Sequence, residues 1–65
     1  MEEFRITLAA ARVNAGMTQD DVSKALKIGK NTIVNWESYK TVPTVRQAEA
    51  LCELYGLSYS QIKWS

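Results

Sequence analysis

Residues 18–37 read TQDDVSKALKIGKNTIVNWE, two short helical patterns separated by a turn. Thr18 offers a side-chain oxygen to cap a helix, Asp21 three residues on supplies the acid of a short capping box, and Asp20 suits the positive end of the helix dipole. Val22, Ala25 and Leu26 form the apolar face of that helix. It ends near Leu26, because Ile28-Gly29 breaks the rhythm and a fresh helical pattern follows at residues 30–37. In this next helix Ile33 and Trp36, three apart, share a buried face. Lys30, Asn31 and Asn35 lie on the opposite side, with Val34 between the two. A plain amphipathic helix pair does not require an isoleucine in its turn. Ile28 therefore predicts a turn plugged into the core, which fixes the angle between the helices.

Upstream, Phe4, Leu8, Ala11 and Ala15 recur at i, i+4, i+7 and i+11, predicting a helix over about residues 6–15 that stops at Gly16. Downstream, residues 38–43 read as a loop containing Pro43. Thr44 to Gln47 is a capping box, opening a fourth helix with the apolar face Val45, Ala48, Leu51, Cys52 and Tyr55, closed by Gly56. Ser58 to Gln61 repeats the spacing and starts a last short helix carrying Ile62 and Trp64. The pattern predicts an all-α bundle of five short helices without a strand. Residues 1–65 form one domain, with the helix-turn-helix at about 18–37.

Composition bounds the function. The chain has 65 residues, 46% of them hydrophobic, and no histidine. A chain of this size buries only about 60% of the surface its unfolded form exposes, and helix on helix is an economical way to do it. Without histidine, the usual acid/base side chain and metal ligand are missing. The lone Cys52 can close no internal disulfide and reads as core filler on the fourth helix. Glu2-Glu3 after Met1 is the reverse of a signal-peptide start, and no run approaches the roughly 20 apolar residues of a membrane span. A reducing, cytoplasmic setting is the expectation. The paired acids fall at helix starts, where the dipole favours them, and no nucleophile has a base beside it. The sequence thus calls for no enzyme, metal, cofactor, small-molecule ligand or membrane.

The formal net charge is only +1, but it is unevenly spread. Residues 1–23 set Glu2, Glu3, Asp20 and Asp21 against Arg5 and Arg12, a balance of −2. Residues 24–46 set Lys24, Lys27, Lys30, Lys40 and Arg46 against Glu37, a balance of +4. Glu49, Glu53 and Lys63 leave −1 in the remainder. The basic segment coincides with the second helix of the pair and its flanking turns. A solvated charged face is the plain alternative.

Two short helices joined by about three residues match the arrangement in which one crosses the nucleic-acid backbone and the next enters the major groove. At this point the sequence resembles the phage repressor and Cro type of helix-turn-helix domain, the XRE-like family. The resemblance is carried by Arg12-Val-Asn-Ala-Gly16-Met-Thr-Gln19, then Val22 and Leu26, Thr32-Ile33, Trp36-Glu37, Pro43, and Leu51 to Gly56 followed by Leu57-Ser58. It covers nearly the whole chain and implies the lambda-repressor-like five-helix bundle.

The resemblance also implies roles. Gln19, Lys30, Asn31, Thr32 and Asn35 would face bases, and the chemistry suits them. An Asn amide pairs bidentately with adenine, a Lys donates to guanine O6 and N7, and the Thr32 methyl meets a thymine methyl. Each such contact is worth roughly 1–3 kcal/mol in discrimination. Thr18, Ser38, Tyr39, Lys40 and Thr41 would meet phosphates, setting register rather than sequence preference. Arg12 and Glu37 would form an ion pair joining the first and third helices. Three positions depart from the family pattern. Ser23 stands where alanine is common, bringing a hydroxyl to satisfy. Lys27 stands at a turn where glycine is common; a left-handed lysine carries strain of about 1 kcal/mol, so a slightly different path of the turn is expected. Tyr39 replaces the glycine often found after the third helix.

A helical module that binds another protein is the competing class. Such a module would show apolar anchors on the third helix, where this chain shows Lys30, Asn31 and Asn35. The expectation is a sequence-specific regulator of transcription on double-stranded DNA, a repressor or Cro-like protein of a phage, prophage or bacterium, in the cytoplasm or nucleoid. One recognition helix covers few base pairs, so a homodimer on a palindromic operator is expected. Leu57, Tyr59, Ile62 and Trp64 are the candidate dimer surface.

Overall fold

The computed structural model describes residues 5–65. In chain order they form β1 (Ile6–Thr7), α1 (Leu8–Asn14), α2 (Gln19–Leu26), α3 (Lys30–Glu37), α4 (Val45–Tyr55), a single 3-10 turn (Tyr59–Gln61) and β2 (Ile62–Lys63). Phe4, expected on the first helix, lies outside the described residues.

The helix starts follow their caps. Thr18 and Asp21 close a reciprocal box at α2, and Thr44 and Gln47 do the same at α4. Each satisfies two of the amide donors that a helix leaves without partners at its start. Thr7 caps α1 by accepting from the Ala10 amide at 3.1 Å. Its extended backbone, with ψ at 159°, makes residue 7 the end of a strand rather than part of a helix. The first helix is therefore shorter than the expected residues 6–15.

The five-helix, strand-free expectation is corrected at the C-terminus. Ser58 and Gln61 do interact, the Ser58 amide donating to Gln61 Oε1 at 2.9 Å, but only one 3-10 turn forms. Ile62 is extended, with φ −109° and ψ 139°, and pairs in parallel with Ile6 while Lys63 pairs with Thr7. Among the described residues four α-helices and a two-stranded sheet result. The pairing satisfies backbone groups that a helix end would leave open, and Ile62 becomes a core residue at 1% exposure.

The core joins Leu8 and Ala11 of α1, Val22 of α2, Ile33 and Trp36 of α3, Leu51 and Tyr55 of α4, and Ile62. Ile28 packs against this cluster from the turn, as expected of a plugged turn. Ala15, Ala25 and Val45, expected on apolar faces, are exposed. Ala15 and Val45 stand at the ends of their helices, beyond the reach of the core.

Both departures from glycine are left-handed. Lys27 has φ 58° and Tyr39 φ 63°. Ser23 braces the first of these turns: its carbonyl accepts from the Lys27 and Ile28 amides, and its hydroxyl donates to the Ile28 carbonyl. The second ends α3 as a Schellman motif, with the Tyr39 amide on the Trp36 carbonyl at 3.1 Å and the Lys40 amide on the Asn35 carbonyl at 2.9 Å.

Candidate nucleic-acid interface

The N-terminal half of α3 is open. Gly29 stands at its cap position with no side-chain cap. Lys30, Asn31 and Val34 are exposed, while Thr32 and Asn35 are partly covered. Ile33 and Trp36, on the other face, are 1% and 3% exposed, so the outward orientation of Lys30, Asn31, Val34 and Asn35 is held by the core. Lys30 and Asn31 present amide and ammonium donors at the positive end of the helix, where a polyanion is attracted.

The beginning of α2 lies beside it. The Thr18 amide donates to Asp21 Oδ2 at 2.9 Å, and the Asp21 amide donates to Thr18 Oγ1 at 3.0 Å. The cap thus consumes two of the first amides and leaves those of Gln19 and Asp20. Hydrogen bonding from the Thr18 amide, and then from its side chain, holds the Asp21 carboxyl below its ordinary value.

Gln19 is oriented from within. Its Nε2 donates to Glu37 Oε1 at 3.0 Å. Arg12 Nε donates to Glu37 Oε2 at 2.7 Å, and Arg12 also donates to the Met17 carbonyl at 2.9 Å. The pair is well covered, with 16% of the Arg12 and 9% of the Glu37 side chain exposed. Its hydrogen bonds to Glu37 raise the Arg12 pKa above its ordinary value. Arg12 and Glu37 therefore join α1 to α3, and Gln19 joins α2 to the same carboxylate. Sequence reasoning reached the ion pair but not the Gln19 contact, which depends on how α2 lies across α3.

The loop after α3 mixes two roles. Ser38, Lys40 and Thr41 are exposed, with the Ser38 hydroxyl on the Asn35 carbonyl at 3.2 Å. The Tyr39 hydroxyl has two internal partners, accepting from the Leu8 amide at 3.2 Å and donating to the Lys63 carbonyl at 2.8 Å. Tyr39 thus fastens the end of α3 to the strand pair.

Of the four residues expected at a dimer surface, Ile62 is in the core, a correction that follows from its place in β2. Leu57 and Trp64 are partly covered and Tyr59 is exposed. Tyr59 and Trp64 stack at 5.0 Å between ring centroids, and Trp64 Nε1 donates to the Tyr59 carbonyl at 2.9 Å. No group of acids and cysteine among the described residues could hold a metal ion. No helix among them is long and apolar enough to cross a membrane.

A family model described as helix-turn-helix matches residues 8–62. The chain belongs to the helix-turn-helix family, of the Cro/C1, XRE-like type. No curated protein and no solved structure matches the chain. As a member of this family the helix-turn-helix protein is a DNA-binding transcription regulator, and its ligand is double-stranded DNA. Its α2 and α3 are the two helices that give the family its name.

Proposed function

We propose that this helix-turn-helix protein is a sequence-specific repressor or Cro-like regulator that works as a homodimer on a palindromic operator. The observation that carries the reading is the outward face of α3: Lys30 and Asn31 are exposed and Asn35 partly so, with Val34 the one apolar residue among them, on a helix whose other side is sealed by Ile33 and Trp36. With α3 in the major groove, Lys30, Asn31, Thr32 and Asn35 read bases, and Gln19, steadied by Glu37, reaches the edge of the site. Thr18, Ser38, Lys40 and Thr41 contact phosphates. Tyr39 supports the loop that presents the last three, its hydroxyl being occupied by the fold. Residues 1–65 act as one domain, at the nucleoid of a bacterial cell.

Two copies are required because one eight-residue α3 spans too few base pairs for useful selectivity, and half-sites about one helical turn apart follow from two-fold symmetry. The stacked Tyr59 and Trp64, together with Leu57, supply the surface for the second copy. With a net charge of only +1, non-specific affinity is weak and the salt slope modest, so base contacts and dimerisation carry the selectivity.

Selection of binding sites from a random duplex library tests this reading. A short, two-fold symmetric motif is the expected result. Enrichment equal to the input library contradicts specific recognition, and a single asymmetric half-site contradicts the dimer.

A further inference from the structure

Both of the adjacent acids that open α2 suit its dipole, but only one is hydrogen-bonded into the cap. Asp21 closes the cap with Thr18, and Asp20 has no part in it. Instead Asp20 Oδ1 lies 3.6 Å from Lys30 Nζ, with 65% of the Asp20 side chain and 56% of the Lys30 side chain exposed. The contact runs from the first turn of α2 to the first residue of α3, on the side from which Lys30 and Asn31 approach DNA. An ion pair this exposed adds little to stability, so folding does not account for it. A carboxylate on a surface that meets a polyanion also opposes binding, and the group it holds is the foremost cation of α3.

We propose that Asp20 is a specificity-setting residue that restrains Lys30. It holds the ammonium back from phosphates, in a position from which a base-edge acceptor pair is reached without leaving the carboxylate. The inference rests on the reading of α3 as the groove-reading helix. On unrelated DNA, an unrestrained Lys30 would swing to the nearest phosphate, displace a counterion and strengthen binding everywhere. On the operator, guanine O6 and N7 accept from the same ammonium while it stays beside the carboxylate, so the pair is kept there and is broken only by a swing to phosphate. Asp20 thus lowers affinity for all DNA but lowers it more for the wrong DNA.

Fluorescence anisotropy of the full chain on the library-selected duplex and on a shuffled duplex, over a range of salt, tests the proposal. Wild type, D20N, K30Q and the double variant are compared. D20N should bind the shuffled duplex about fivefold tighter at low salt, the upper end of what an exposed pair is worth. Its log–log salt slope should steepen by about one, and the ratio of selected to shuffled affinity should fall. In the K30Q background the same change should alter shuffled-duplex binding less than about twofold, since the coupling then has no partner. Unchanged shuffled-duplex affinity in D20N overturns the proposal, as does an equal gain in the K30Q background, which marks simple repulsion between Asp20 and phosphate. Wild type that binds both duplexes equally overturns the groove-reading assignment itself, a result separate from any property of D20N.

Discussion

The Tyr39 phenol donates a hydrogen bond to the Lys63 carbonyl at 2.8 Å, so the residue that terminates α3 is tied to β2. The same oxygen accepts from the Leu8 amide at 3.2 Å, and the Lys63 ammonium lies 5.6 Å from the centre of the Tyr39 ring. One side chain thereby connects the end of α3, the start of α1 and β2. Tyr39→Phe keeps the ring but removes the partner of the part-buried Leu8 amide and leaves the exposed Lys63 carbonyl to water, a loss of about 0.5–1.5 kcal/mol. The expected readout is a lower Tm together with faster hydrogen exchange at the Leu8 amide, while the α2 amides keep their relative protection.

The two left-handed non-glycine residues respond in opposite ways. A left-handed conformation costs an ordinary residue about 1–2 kcal/mol. Lys27 is exposed and has φ 58°, and its side chain makes no hydrogen bond or ion pair among the described residues. Lys27→Gly is therefore expected to stabilise by about 0.5–1 kcal/mol after the greater freedom of glycine in the unfolded chain is included. Tyr39→Gly relieves the same strain but removes the bonds to Leu8 and Lys63, and net destabilisation follows. Urea midpoints of the two variants check the contrast.

Arg12 and Glu37 form a largely covered pair at 2.7 Å. Arg12→Ala leaves Glu37 with Gln19 as its remaining partner and the Met17 carbonyl without its donor. The expected loss is about 3 kcal/mol, because an unpaired charge is left in a desolvated place. Replacing both residues with Met should recover much of that loss, since apolar pairs of similar size serve about as well in such positions. Thermal melts of the single and double variants check this.

Stability should fall at both extremes of pH for identifiable reasons. Burial pushes the Tyr55 phenol up to about 12. The fold favours its neutral form, so this contribution is complete below pH 10 and is lost as pH rises through about 12, on the order of 2 kcal/mol in all. Tyr55→Phe should flatten the alkaline limb. Asp21 is the converse case: its folded carboxyl is held below the ordinary 3.8. Its contribution is present above that value and lost as pH falls through the lower folded one. Asp21→Asn should lower the midpoint at neutral pH and flatten the acid limb. Urea midpoints measured across pH check both.

The local chemistry of the chain showed through the sequence, and its long-range juxtapositions did not. Thr18 with Asp21 and Thr44 with Gln47 were legible because a capping box spans only four residues and needs no tertiary partner. The plugged turn was legible from Ile28, an apolar residue where a solvent-exposed turn has no use for one. The strand pair was not, since Ile6–Thr7 and Ile62–Lys63 are too short to show any alternation. Ser58 and Gln61 satisfied the local signal for a helix, but the backbone of Ile62 found its partner in Ile6, far back along the chain. At the candidate interface, the outward polar residues of α3 were readable from helical spacing. The contacts of Gln19 with Glu37 and of Asp20 with Lys30 depend on the crossing of α2 over α3, which no local pattern encodes.

The most direct test of base reading by α3 is a complete single base-pair substitution profile of the selected duplex, titrated with wild type and with Asn31→Ala. For wild type, exchanging one base pair in the site should cost about 1–3 kcal/mol. The predicted result for Asn31→Ala is loss of preference at one base pair per half-site, with the remaining positions discriminated as before. A uniform loss of affinity across all positions, the pattern expected of a phosphate contact such as Lys40, would contradict the reading of bases from this face of α3.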